Sequence, residues 1–579
     1  IRDADVTGVQ TCALPILRYH HIKHLKDAGL EPQHPAYIIC EADSIAAGAD
    51  RRRIIEGEDE GFEPSVPLQS VFHLLGEESE DAGKGPKFRL KPFGLDDEIV
   101  YPRPSEELKA SSDRYSQILL GSGSNGLIDN IRKYNTERDS VNSLLEILEC
   151  FTSYIPSSTN KSEVPDISLF DHSKLTAAVA SCMKIYLGET DYSRLLEESD
   201  GFRREKAFIL LSGDISGIQD FIYTVSSRMA MKSLRGRSLY LELFLEHIAD
   251  EILEQLGLKR PNLMYTGGGH FYMLLPNTSE ARETIERASV TVNDWLLDRF
   301  GTSLYLALGY TEASANELMN EPYGSLGKVY GRASSMVSGK KLKRYTREQL
   351  KSLFVPQQPE GREECEACKS SKNIRAEDTE DSGTLLLCES CRSFAALGRD
   401  IAKNSDKTKY IIILKSQDAG KKIICRFPSV DGKEQRFMYI ADEEEAISDA
   451  AGENTVRIYS INRKTVGKSL STNLWCGNYN YRTDKNTLID FKTLADKSTG
   501  IKKLAVLRAD VDDLGAIFTS GFNREGFKYA TLSRTSTLSR QLSMFFKYYI
   551  NVLCCGRTET SEGYGEEPFS LKGSCEEVK

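Results

Sequence analysis

The chain has 579 residues, a formal net charge of −10, 40% hydrophobic and 28% charged residues, the balance of a globular protein too long for one hydrophobic core, so two to four domains are expected. No apolar run approaches the roughly 18 to 20 residues of a membrane span, and the start lacks a signal-peptide layout, so the expectation is a cytoplasmic protein with no membrane partner. The thirteen cysteines fall into one organised quartet plus scattered singletons, which speaks against a disulfide framework and for a metal among reduced thiols.

In chain order, residues 1–16 have no clear period and resemble translated adapter sequence, foreign to the fold. Residues 17–53 read as a His-rich helix, a turn from Gly29 to Pro35 and a second helix from Ala36 to Arg53, followed by an acidic, Gly-rich linker at Glu56 to Gly61. Pro67 to Pro104 reads as short strands and turns, and Glu106 to about Gly201 as mostly helix. Ala207 to Ser212 is a buried strand ending in Gly213-Asp214, Ser238 to Leu258 a long helix, and Asn262 to Pro276 two strands joined by Gly267-Gly268-Gly269. A helix at Val290 to Phe300 and a strand at Thr302 to Tyr310 follow, then the cysteines within Arg344 to Asp406 and a strand-rich stretch from Tyr410 to Ile461. The acidic total leaves room for a local basic cluster at Lys340, Lys341, Lys343 and Arg344.

Cys365-Glu-Ala-Cys368 and Cys388-Glu-Ser-Cys391 are two C-x-x-C knuckles nineteen residues apart. That spacing lets four thiolates converge on one tetrahedral zinc, with no position left for water, so the site is expected to hold structure and to perform no chemistry.

One segment occurs twice. Phe208-Ile-Leu-Leu-Ser-Gly-Asp214-Ile-Ser-Gly-Ile matches Leu504-Ala-Val-Leu-Arg-Ala-Asp510-Val-Asp-Asp-Leu, and about twenty-five residues later each copy enters an amphipathic helix, from Ser238 and from Thr537. An Asp at the end of a buried strand beside a Gly-Gly hairpin is how polymerase and cyclase palms hold magnesium against a triphosphate. Equally, an Asp after a strand can be a plain helix N-cap. The first hairpin, Tyr265-Thr-Gly-Gly-Gly-His270, lacks an acidic pair, so that half is expected to bind nucleotide without catalysing. The second copy has the richer acidic cluster of Asp510, Asp512 and Asp513. Arg235, Arg237 and Arg534 are read either as phosphate contacts or as solvated charges. Near the start, His20 and His21 lie on one helix and Asp43 on the next, an arrangement open both to a divalent-metal site and to ordinary surface histidines with a solvated Asp.

Taken together and in order, Gly213-Asp-Ile-Ser-Gly-Ile-Gln-Asp-Phe-Ile-Tyr223, Leu234-Arg-Gly-Arg-Ser238, the Gly-Gly-Gly-His hairpin, the two knuckles and Val506-Leu-Arg-Ala-Asp-Val-Asp-Asp-Leu-Gly515 resemble the large subunit of type III-A CRISPR effectors, the Csm interference complex. The likeness runs over about residues 17 to 560, and the N-terminal Arg18-Tyr-His-His21 and Ala42-Asp-Ser-Ile-Ala-Ala-Gly-Ala-Asp-Arg-Arg52 look like the later part of that family's HD nuclease domain.

The resemblance implies an α+β multidomain fold with a helical HD-domain remnant at 17–60, a first ferredoxin-like palm with helical insertions at 67–330, a linker module with the four-cysteine zinc site at 340–490, and a second ferredoxin-like palm at 491–579. It implies single-strand DNA cleavage by the HD domain and cyclic oligoadenylate synthesis from ATP by the palms. His20, His21 and Asp43 would serve the nuclease and its divalent metal (Mg, Mn or a transition metal), and Asp510 and Asp512 the cyclase, with Asp510 a metal ligand. Asp214, Arg235, Gly267, Gly268, Gly269 and Arg534 would contact nucleotide. Implied partners are guide RNA, target RNA, single-stranded DNA and other Csm subunits, including the small subunit; sequence specificity would rest on base pairing, so no side chain encodes it. The family's His-Asp doublet and its Gly-Gly-Asp-Asp hairpin are expected before residue 17 and after the second palm helix, where this sequence has neither. Both active sites thus read as half-encoded, and the expectation is that the polypeptide as given has neither activity. The opposing reading is a non-catalytic RNA-binding scaffold subunit of the same kind of complex.

Overall fold

The computed structural model describes residues 22–53, 61–75, 81–95, 99–104, 118, 126–133, 141–226, 229–355, 363–379, 383–403, 407–432, 435–450, 452–466, 471–477, 491–506, 511 and 514–554. Two sheets organise it. The first contains β1 (Phe208–Ser216), β2 (Leu263–Gly267), β3 (His270–Pro276) and β4 (Tyr305–Ala313) in the order β2-β3-β1-β4. Helix α5 (Ala230–Gln255) connects β1 to β2 and α6 (Ser279–Phe300) connects β3 to β4. This is a β-α-β-β-α-β unit of the ferredoxin-like kind.

The alternation of side chains along β1 loads both faces of that sheet. Ile209 and Leu211 enter a core with α5 and α6. Phe208 and Leu210 enter another with α1 (Ala36–Asp50), α3 (Leu169–Leu187) and α7 (Ser325–Leu342). Helices α2 (Val141–Thr152) and α4 (Leu195–Arg204) flank α3 along the chain. The first half of β1, Phe208 to Leu211, is buried on both faces and reads as a continuous apolar run; polar residues alternate only beyond it, at Ser212, Asp214 and Ser216.

The second sheet, β7 (Lys409–Leu414), β8 (Cys425–Pro428), β9 (Gln435–Ala441), β10 (Thr455–Ile461) and β11 (Thr472–Leu474), has the order β11-β10-β7-β9-β8. Its Ile411 and Ile413 join the same core as α5 and α6, while Ile412 and Leu414 face a small cluster with Tyr439 and Ala446. The first sheet and the strand-rich segment after the cysteines therefore share one continuous interior. Helix α8 (Glu389–Asp400) ties them by crossing α5 at contact distance.

The stretch from Pro67 to Pro104 forms 3-10 turns and isolated bridges. Its Leu68, Phe88, Phe93 and Val100 pack on Met544, Tyr548 and Tyr549, next to helix α9 (Leu532–Met544) of the second copy. The expected strand from Leu504 is not formed at 504–506, and Val506 is 89% exposed; residues 507–510, with Asp510, lie outside the described residues, as do Asp512 and Asp513. Among the described strands none pairs with this segment, and a central strand without a ladder partner leaves its backbone groups to water. No helix among the described residues is long and apolar enough to cross a membrane.

Candidate functional site

Asp214 lies near the end of β1, directly opposite His270 of β3. The approach is close because Gly213 has no side chain: a Cβ there would lie 2.2 Å from the Phe271 ring. The hairpin turn needs left-handed backbone at Gly268 and Gly269, with φ of 60° and 89°. The Ile215 N–H donates to the Gly269 carbonyl at 2.9 Å, so Asp214 and the Gly267-Gly268-Gly269 hairpin do come together as expected.

The Asp214 carboxylate is met by two cationic or proton-bearing groups, Lys341 Nζ at 2.6 Å from α7 and the His270 ring. Burial pushes its pKa upward, but His270 and Lys341 outweigh it and hold the carboxyl below its usual range. An ammonium and an imidazole thus both engage the same carboxylate oxygen, Asp214 Oδ2. Lys341 was legible only as part of a basic cluster; its pairing depends on α7 packing back over β1 and β4.

The other expected nucleotide contacts separate. Arg235 is half-buried and donates to the Gly398 carbonyl of α8 at 3.5 Å. Arg237 is buried between the Phe221 and Phe394 rings and donates to the Phe221 carbonyl at 2.9 Å. Arg534 corrects its reading as a phosphate contact: it is 0% exposed and forms a two-pronged ion pair with Asp166, both bonds 2.7 Å. A guanidinium so enclosed is spent on an internal carboxylate.

The helices of the second copy nevertheless meet the first hairpin. Lys547 pairs with Glu242 of α5 and approaches the Thr266 carbonyl of β2 at 3.5 Å, and the Tyr265 and Phe518 rings are 6.0 Å apart.

At the N-terminus, His20 and His21 lie outside the described residues. Asp43 is half-buried on α1, and its carboxylate receives His172 Nε2 of α3 at 3.0 Å. His172 Nδ1 contacts Asp50 at 2.5 Å, about two turns along the same face of α1 from Asp43. Burial disfavours the charged imidazole, but hydrogen bonds to Asp43 and Asp50 overcome it and push the His172 pKa up to about 10. Sequence reasoning missed His172 and Asp50. His172 stands 129 residues from Asp43 in a helix with no local metal motif.

The four cysteine sulfurs all lie within 4.8 Å of one another, the one such ligand cluster among the described residues. The hairpin β5 (Arg375–Thr379) and β6 (Gly383–Leu387) connects the knuckles, and Cys388 caps α8, its sulfur accepting from the Cys391 N–H at 3.5 Å. Hydrogen bonds from the other three thiols pull the Cys365 thiol down. Arg237 Nη2 donates to the Cys391 sulfur at 3.1 Å, an outer partner that a thiolate would strengthen. Four converging thiols with no nitrogen or oxygen ligand suit tetrahedral zinc. A cleft of about 790 Å³ between α6 and β8–β9 is lined by none of the predicted site residues.

Residues 207–358 match the family description "Csm1 subunit domain B", and residues 503–564 match "Cas10/Cmr2, second palm domain". The chain is 37% identical over 577 residues to the "CRISPR system single-strand-specific deoxyribonuclease Cas10/Csm1 (subtype III-A)" of Mycobacterium tuberculosis, covering 95% of this chain and 67% of that protein. It is 35% identical to the protein so described from Enterococcus italicus, covering 97% and 71%. A crystal structure of a Csm1–Csm4 subcomplex of the type III-A CRISPR-Csm interference complex superposes with a TM-score of 0.67 at 25% identity, covering 94% of this chain and 62% of that one; the same values describe the cassette in complex with pppApA. The chain thus spans about two thirds of the length of these relatives. At such identity over nearly all of its own residues, the chain belongs to the Cas10/Csm1 family of subtype III-A.

Proposed function

We propose that the chain contributes to an RNA-guided antiviral effector of the type III-A kind, acting in the cytoplasm with guide RNA, target RNA and other Csm subunits, the small subunit among them. The observation that carries the nucleotide half is the meeting of the first hairpin with the second copy at Lys547, Glu242 and Thr266. A nucleotide held there would lie against the hairpin backbone of Gly267 to Gly269, beside the helices of the second copy. The first palm, with Lys341 and His270 on Asp214, holds nucleotide and takes no metal. Asp510 and Asp512 are the carboxylates suited to a divalent ion, which would stabilise charge on the reacting phosphates as one adenylate's hydroxyl displaces pyrophosphate from the next. His20, His21 and Asp43 form the second centre, a metal-dependent nuclease for single-stranded DNA, and the four-cysteine cluster holds zinc as a structural clip.

The test is done in the assembled effector with the large subunit at the full length of its relatives, of which this chain spans about two thirds, supplied with guide and target RNA. Asp510→Asn is expected to abolish oligoadenylate formation while sparing DNA cutting, and Asp43→Asn to do the reverse. Loss of both activities in each variant, with the complex intact, would reject two separate centres; retention of both in each would reject the residue assignment.

A further inference from the structure

Helix α3 opens on a capped turn in which Ser168 accepts from the Asp171 N–H at 3.0 Å. Its next two side chains point to different partners. Asp171 takes both prongs of Arg540 from α9, at 2.8 Å each; Asp171 is buried and Arg540 mostly so, at 4% and 11% exposure. His172 lies between Asp43 and Asp50 of α1, with Nε2 on one carboxylate and Nδ1 on the other. Each ring nitrogen of His172 is thus within hydrogen-bond distance of a carboxylate, the geometry of an outer partner. His172 can then fix the Asp43 carboxylate, in the way that outer partners orient metal ligands.

A second observation marks the place as built to receive something. Asp50 is 2% exposed, and its Oδ1 has no hydrogen-bond partner among the described residues. A buried carboxylate oxygen without a partner is costly. It is tolerable where a water or cation completes it.

We propose that His172 is a positioning residue that sets the Asp43 carboxylate, and that the adjoining Asp171–Arg540 pair ties this setting to helix α9 of the second copy. The proposal rests on the reading of Asp43 as a nuclease metal ligand. It adds that the ligand's orientation is governed from outside its own helices, by one turn whose consecutive residues grip α1 and α9. A shift of α9 along its axis is then transmitted to Asp43 through two contacts.

The test is Mn²⁺ binding to the purified full chain, followed by calorimetry or by the free-ion electron paramagnetic resonance signal, with thermal stability measured in parallel. His172→Leu is expected to weaken Mn²⁺ about tenfold or more, within the range for lost outer partners, and His172→Gln, whose amide still donates to Asp43, to recover most of it. If His172→Leu leaves too much buried charge to fold, His172→Leu/Asp50→Asn carries the same measurement. The charge-free pair Asp171→Asn/Arg540→Met is expected to weaken Mn²⁺ severalfold in the wild type and to add nothing in the His172→Leu background. Wild-type affinity in His172→Leu, or no recovery in His172→Gln, overturns the positioning role; additive effects overturn the tie to α9. Asp43→Asn separates the underlying reading: if it leaves Mn²⁺ binding unchanged, Asp43 is no ligand, whatever His172 does.

Discussion

At the scale of single residues, charge was legible in the sequence and its destination was not. Arg534 reads as a cation near a nucleotide-binding helix, but its partner is 368 positions away and the pair is fully enclosed. Removing one member strands the other charge, so Arg534→Met should destabilise the fold by about 3 to 5 kcal/mol. Replacing both, as Arg534→Met/Asp166→Leu, should recover most of that, and urea unfolding of the three proteins checks it. His247 illustrates the same limit, since its helical spacing suggests a core-facing position but not its electrostatics. It is 0% exposed, donates from Nε2 to the Pro428 carbonyl and accepts at Nδ1 from Arg457. Burial and the Arg457 charge push its pKa down to about 4. The unfolded chain takes up that proton near pH 6.5, so the stability gained from a neutral His247 is complete above pH 6.5, declines as pH falls toward 4 and levels off below. The loss approaches about 3 kcal/mol. His247→Phe, placed on the Phe427 ring, should flatten the urea midpoint across that window.

At the scale of elements, periodicity located nearly every piece of the first sheet and misjudged its ends. β1 was expected to stop at Ser212 and runs to Ser216, because β3 and β4 pair with it through Asp214 and beyond. Helix α5 begins eight residues before the expected Ser238, since its Arg-Gly-Arg turn shows no apolar period and helps pack α8 instead. That contact is backbone on backbone: a Cβ on Gly236 would lie 1.8 Å from the Phe394 carbonyl oxygen, and one on Gly398 1.9 Å from the Lys232 carbonyl oxygen. A main-chain obstacle cannot rotate away, so Gly236→Ala must part the two helices. The expected result is a loss of about 2 kcal/mol or more in folding stability together with weaker zinc retention against a chelator, whereas Gly201→Ala, with open space around its Cβ inside α4, should leave retention unchanged and raise stability by up to about 1 kcal/mol.

At the scale of the whole molecule, the order of motifs carried the family, and composition alone would have stopped at a multidomain α+β protein. The four-cysteine cluster was readable because its members are paired in sequence. The N-terminal side was half readable: Asp43 sits in a recognisable string, whereas His172 reaches it only through the packing of α1 on α3. Least readable was how the parts share their interior. The sequence reading divides the chain near residue 340, yet Phe394, Ile411 and Phe427 enter the same core as Ile209 and Phe244. Side chains that meet across two hundred positions leave no local period to detect.

The ring contacts around Arg237 have an optical consequence. From the cysteine cluster, Arg237 leans on Phe394, Phe394 stacks with Phe300 at 6.1 Å, and Phe300 lies edge-on to Trp295 at 5.8 Å. The chain's other tryptophan, Trp475, sits in a separate aromatic group with Phe93 and Tyr548. The protein therefore carries two tryptophan fluorophores that report on different neighbourhoods, and in a Trp475→Phe background, excited at the red edge where tyrosine does not absorb, the emission of Trp295 becomes a dye-free gauge of metal added to the cysteine cluster.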